Sequence, residues 1–391
     1  MKRATANAQA NADSLGNDNQ IGNDKSNGGW GFQSGLALLG IIVGVASCRR
    51  DFLPMSRRTR YLVLSALLLV AAIGVAFFVV KQSPPRAARL LPEADGIAYV
   101  NLKPIRLATH LDKKPVPHSP DYQKFIDATG IVFERDLDSA AFAIHKMADP
   151  NGPNGPAAFS EVFVGHFDGK RLTEYLATIA TSRETYAGHE IFTIPVGLPA
   201  TVDAHMAATS RLLRVTQLSD DTIAASNAPT TEQIHAILDH HRASVNPFGG
   251  PTLLGGLYPE VPAFASVWGI GAIGLPFAEE GRVSVFGFHL PLADTTPFVA
   301  SLRYTTGLHL RIEQIAATDA DAERSVQKLR TLLMLVRQMQ GLEAVGPAEE
   351  SLAAFTDSLK IEQEKDRAIL TAVIPIDLLR KLTSPKGRSG R

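Results

Sequence analysis

The string His235-Ala-Ile-Leu-Asp239-His240-His241 places an imidazole and a carboxylate four residues apart, which puts them on one face if the segment is helical. Imidazole and carboxylate are metal ligands, and helical pairs at this spacing hold zinc when a third group joins them. His235 and Asp239 are therefore the metal-ligand candidates, and a metal-dependent hydrolase built on that helix face is the enzymatic reading of the chain. The competing reading is an amphipathic helix, in which Ile234, Ile237 and Leu238 form the buried stripe and the histidines occupy the polar side.

Other candidates carry less chemistry. Gly269-Ile-Gly271-Ala-Ile-Gly274 has the letters of a dinucleotide fingerprint, yet Pro276 and the strand-like "RVSVFGF" leave no room for the helix whose N–H groups would meet a pyrophosphate. Close backbone packing is the expected use of these glycines, and no cofactor is expected. Glu279-Glu280 and Glu349-Glu350 are adjacent in sequence and read as solvated charges, while Glu134, Asp136 and Asp138 would share a face of an extended segment. The chain has no nucleophile elbow, P-loop or H-E-x-x-H motif, and its one cysteine, Cys48, allows neither an intrachain disulfide nor a Cys-based zinc site. No catalytic residue is assigned.

The elements that would position these groups follow from pattern. The 391 residues balance 39 basic against 39 acidic side chains, which removes the field that would attract nucleic acid. With 45% hydrophobic residues the chain can build a sizeable core. Ser119, Pro120 and Gly130 delimit one helix, Asp168 caps another, and Thr230 with Gln233 would form a capping box for the histidine-bearing helix. Runs such as "FVASLRYT" and "LHLRIEQIAAT" alternate as strands of hairpins. Ala322, Val326, Leu329, Leu333 and Val336 make one stripe of a long helix.

Tyr61 to Val80 are twenty consecutive uncharged, mostly apolar residues, enough for a single transmembrane helix of the signal-anchor type. Arg57, Arg58 and Arg60 on its N-terminal flank would keep that end in the cytoplasm, leaving the C-terminal domain extracytoplasmic at the cytoplasmic (inner) membrane. Upstream, residues 1–54 read as a disordered extension or as sequence preceding a true start at Met55. Two alternatives stay open there: a second span from Trp30 making a helical hairpin, and a lipoprotein signal ending Val45-Ala46-Ser47-Cys48.

The expected organisation is thus a transmembrane helix at 61–80, a proline-containing stalk at 81–94, α+β modules at 95–243 and 262–383, and a basic tail at 384–391. The fold class is α+β, two modules of antiparallel sheet with helices packed on one face. The strings "LLPEADGIAYVNLKPIR", "LRIEQIAATDADAERSVQKLRTLL" and "LKIEQEKDRAILTAVIPIDLLRKL" make residues 90 to 383 resemble uncharacterised single-pass envelope proteins of bacteria, a domain-of-unknown-function group with repeated α+β units. The resemblance implies topology and supplies no catalytic residues. Together these readings give an extracytoplasmic binding or scaffolding protein. Its expected partners are the lipid bilayer, through residues 61–80, and an envelope protein or polymer.

Overall fold

The computed structural model describes residues 64–74, 83–109, 118–149, 155–196, 211–243, 246, 249–272, 278–279, 282–285, 288–291, 296–304, 307–343 and 354–375. The chain divides into two compact units, Met1–Gly74 and Val75–Arg391. In the first, residues 64–74 form a helix, α1. Eleven residues rise about 16 Å, roughly half of a ~30 Å hydrocarbon layer. Among the described residues no helix is long and apolar enough to cross a membrane, which corrects the transmembrane expectation for 61–80. The uncharged run supplied the length, but the helix described covers only part of it. Residues 1–54, the alternative span, the lipoprotein signal and the 384–391 tail lie outside the described residues.

The second unit is organised by one antiparallel sheet of twelve strands, in the order β14-β15-β13-β12-β8-β1-β2-β3-β7-β6-β5-β4. The first half comprises β1 (Gly96–Asn101), β2 (Leu137–Lys146), β3 (Ala157–Gly165), β4 (Ser182–Tyr186), β5 (His189–Val196), β6 (Arg211–Ser219) and β7 (Thr222–Ser226). The second comprises β8 (Val267–Ala272), β12 (Pro297–Tyr304), β13 (Leu308–Ile315), β14 (Lys360–Glu364) and β15 (Arg367–Ile374). Between β8 and β12, the short strands β9 (Ala278–Glu279), β10 (Arg282–Val285) and β11 (Phe288–Pro291) make a separate sheet.

Both halves follow one grammar. Three strands meander, a helix follows, and the returning strands pair back onto the third: β7 onto β3 in one half, β15 onto β13 in the other. The two first strands, β1 and β8, then pair antiparallel, with Gly96 opposite Gly271 and Ala98 opposite Gly269. This pairing fuses the expected two modules into one sheet and corrects the two-sheet expectation. A strand edge left open in the middle would expose unpaired N–H and C=O groups, and joining the halves satisfies them.

Helices cover both faces, a second correction, since one-sided packing was expected. On the front face, α2 (Arg86–Arg89), α7 (Glu232–Arg242) and α8 (Thr252–Leu257) bury Ala88, Leu90, Leu91, Ile234, Ile237 and Leu254 against Ile97, Val162, Trp268 and Ile270. Residues 86–91, read from sequence within a stalk, are thus part of this core. On the back face, α4 (Pro120–Thr129) and α6 (Gly169–Ile179) cover β7, β6 and β5 through Leu172, Leu176, Phe192 and Ile223. The 25-residue helix α9 (Asp319–Glu343) covers the other half on that same face through Val326, against Ile361 and Ala368. Further helices among the described residues are α3 (Leu102–Thr109), after β1, the single turn α5 (Phe133–Asp136), before β2, a 3-10 turn at Tyr258–Glu260 and a short helix at 354–358.

Local rules account for several boundaries. Ser119 Oγ accepts from the Tyr122 amide at 3.3 Å, Pro120 opens α4, and Gly130 closes it with φ +75°. Asp168 accepts from the Arg171 amide at 3.1 Å. The capping box expected at Thr230 does not form: α7 begins one residue later than that box requires, and the Thr230 hydroxyl lies 3.3 Å from the Gln233 side-chain oxygen.

Candidate functional site

His235 and Asp239 do share a face of α7, and that face meets the edge hairpin of β4 and β5. The His235 ring stacks on Tyr186 with centroids 3.9 Å apart and planes 7° from parallel. Its Nε2 lies 2.7 Å from Glu184 Oε1. Asp239 accepts from the Tyr186 hydroxyl at 3.1 Å, a bond that holds the phenol above its ordinary pKa. His240 Nδ1 lies 2.8 Å from the Leu91 carbonyl oxygen, and His241 meets the edge of His189. The polar side of α7 is therefore a seam of struts that ties the helix to three other segments. Among the described residues no group of three or more His, Cys, Asp or Glu side chains is placed to hold a metal.

The carboxylates read as a triplet separate. Glu134 and Asp136 belong to the helical turn α5, so the extended geometry that would align them with Asp138 is absent. Glu134 accepts from the Tyr122 hydroxyl at 3.0 Å. Burial and that carboxylate push the Tyr122 phenol up to about 12. Asp136 accepts from Arg135 and from the Val132 amide. Asp138, on β2, pairs with Lys103 at 3.0 Å and Arg106 at 3.5 Å.

Asp138 lines an open cleft of about 690 Å³ where β3 leaves the sheet and α6 begins; Lys103, His166, Asp168, Asp220 and Asp221 complete its polar wall. Its floor is backbone packed without tolerance: Gly165 donates to the Asp221 carbonyl at 2.9 Å, and His166 donates to the Asp136 carbonyl at 2.8 Å. Asp221 accepts from the hydroxyls of Ser219 and Thr222 and from Arg86, and these hold its carboxyl below the usual range, the Ser219 bond most of all. Asp138, His166, Asp168 and Asp221 thus each have a partner of opposite sign or a hydrogen-bond donor, as does Lys103 in Asp138. Such an arrangement ties the β6–β7 turn, β2 and the start of α6 together.

Sequence reading missed a Ser–His contact inside the front core. His145 Nε2 lies 2.9 Å from Ser160 Oγ, which lies 3.0 Å from Ser226 Oγ. A nucleophile and base at this distance could do acyl chemistry, but Ser160 and Ser226 are both buried from solvent. No substrate atom reaches them, and the trio is an internal polar link between β2, β3 and β7. Nothing in the local pattern announces it, because the residues meet only through strand pairing.

Gly269 and Gly271 lie inside β8, paired with β1, and Glu279 lies in β9. Gly274, Glu280, Glu349 and Glu350 lie outside the described residues.

No family model matches the sequence, and no curated protein matches it. The solved structures that match include three crystal forms of TP0453. Form III has a TM-score of 0.41 at 11% identity, covering 75% of this chain and 96% of that one. Form I has a TM-score of 0.39 at 11% identity, covering 77% and 97%. Form IV has a TM-score of 0.38 at 12% identity, covering 76% and 96%. Likeness at this level identifies neither a shared fold nor a shared activity.

Proposed function

We propose that this chain is a non-enzymatic binding or scaffolding protein of the bacterial cell envelope, working outside the cytoplasm on another envelope component. The observation that carries the reading is the employment of its reactive side chains as struts. His235, Asp239, Asp138 and the His145–Ser160 pair each join separate elements, and a group whose lone pairs and protons are committed to holding the fold is not free to bind substrate. The body from Val75 onward contains no cysteine, so its fold is indifferent to an oxidising compartment. Balanced charge keeps nucleic acid out of the partner list.

Crosslinking in intact cells tests the reading, with capture of an envelope protein or polymer as the expected result. The enzymatic alternative predicts stoichiometric zinc in the purified full chain and its loss in His235→Ala, together with loss of a metal-dependent hydrolysis. Finding both would overturn the binding assignment.

A further inference from the structure

On the back face the helix-packed clusters draw on β5, β6 and β7 at one end of the sheet and on β14 and β15 at the other. The six strands between, β3, β2, β1, β8, β12 and β13, contribute to neither cluster. Ser160 and Val162 of β3 belong to the front, so Phe159, Glu161 and Phe163 face the back. Phe142 of β2 stands directly opposite Glu161, with Ala225 of β7 on its other side. One carboxylate is thus bordered by three phenylalanines, all half-buried, and the rings of Phe142 and Phe163 meet edge to face at 6.1 Å. Among the described residues Glu161 has no hydrogen bond and no ion pair, and burial alone pushes its carboxyl up. No arginine or lysine among them lies over the three rings. Asp138 and Asp221 have cations beside them, whereas Glu161 bears the cost of desolvation uncompensated.

Beyond Phe142 the same row of side chains continues through Ala98 of β1, Gly269 of β8 and Ala300 of β12 to Ile312 of β13. Three consecutive small residues make a shallow channel that runs across the strands away from the carboxylate. At Gly269 an added Cβ would meet only the Ile97 carbonyl oxygen within 4 Å, at 3.8 Å, so the channel is open there. From Glu161 to Ile312 the row crosses five strand spacings, about 24 Å.

We infer that this face binds a single amphiphile with an alkylated ammonium head and an apolar tail, the head against Glu161 and its phenylalanines, the tail along Ala98, Gly269 and Ala300. The inference rests on the binding reading above and deepens it by naming a ligand class. Aromatic faces attract a cation and the carboxylate supplies the opposite charge, and both attractions strengthen as the ligand displaces water. Charge complementarity therefore selects a cationic head and rejects an anionic one. A primary ammonium carries three donors that one carboxylate among phenyl rings cannot satisfy, so a head with methyl groups in place of hydrogens fits better. A bare metal ion needs several oxygen ligands and finds a single carboxylate here.

The test is calorimetric titration of the full chain with dodecyltrimethylammonium below its micellar concentration, set against dodecyl maltoside, which shares the tail and lacks the charge. The cationic amphiphile binds saturably, and Glu161→Gln weakens it about tenfold or more while the response to the maltoside is unchanged. Glu161→Gln keeps the shape and removes the lone charge, so it also raises the melting temperature of the ligand-free chain. Binding that Glu161→Gln leaves intact would assign the ammonium to apolar surface elsewhere and overturn the inference. Absence of saturable binding would overturn it too, as would a fall in melting temperature, which would mean that the carboxylate already serves the fold. An ammonium that fails to bind a chain still able to capture an envelope partner defeats this inference alone. Zinc-dependent turnover lost in His235→Ala defeats the binding reading and leaves the titration result standing.

Discussion

A methyl group added at Gly165 would overlap the Asp136 carbonyl oxygen, because the floor of the polar cleft is backbone against backbone. Neither side can yield as a flexible side chain would, so Gly165→Ala should cost about 1–3 kcal/mol in chemical denaturation. Gly255→Ala, where a new Cβ meets nothing within 4 Å, serves as the control and should leave stability unchanged or raise it. His145 gives a pH prediction. Burial pushes its imidazole down, with Asp95 opposing. The unfolded chain then binds the proton near pH 6.5 while the folded chain resists it, so this contribution is complete above about pH 6.5 and is lost as pH falls toward the depressed folded value. Melting temperature followed from pH 8 to pH 5 should fall, and His145→Gln should flatten the slope. The sequence disclosed His235 and Asp239 as a same-face pair, since helical spacing is local. It hid Glu184 and Tyr186, the groups that occupy them, because those sit on a strand some fifty residues earlier.

Elements with local signals were legible, and their caps are testable. Ser119 accepts from the Tyr122 amide, so Ser119→Ala should cost about 1 kcal/mol, and Ser119→Asp should recover most of it, by thermal or urea unfolding. The β12–β13 hairpin was readable because alternation and a short turn bring neighbours in sequence together. The pairing of β1 with β8 was not, because nothing in either strand specifies a partner so far along the chain. Residues 86–91 misled for a related reason. The flanking Pro84, Pro85 and Pro92 suggest a spacer, but Leu90 and Leu91 find a hydrophobic core already assembled by α7 and β1.

At the scale of the whole molecule, the β1–β8 junction makes the two halves one mechanical body. Their shared order of meander, helix and returning strands places α6 and α9 on the same face, as rotation about an axis normal to the sheet between β1 and β8 would. A continuous sheet should unfold in one transition. In a Trp30→Phe variant, Trp268 fluorescence reports the centre and far-ultraviolet circular dichroism reports the whole, and the two urea curves should coincide. Two separated midpoints would mean that the junction is weaker than either half.

The outermost strands of that sheet, β4 and β14, read "SRETY" and "KIEQE". A ribbon twelve strands wide offers its two borders to any passing extended chain, and stacking copies border to border would grow fibres. Arg183, Glu184, Lys360, Glu362 and Glu364 put charge along both borders, so a docking strand would have to strip water from them at each step. Concentrated solutions should accordingly remain free of thioflavin-positive polymer, and replacing Glu362 and Glu364 with valine should let it form.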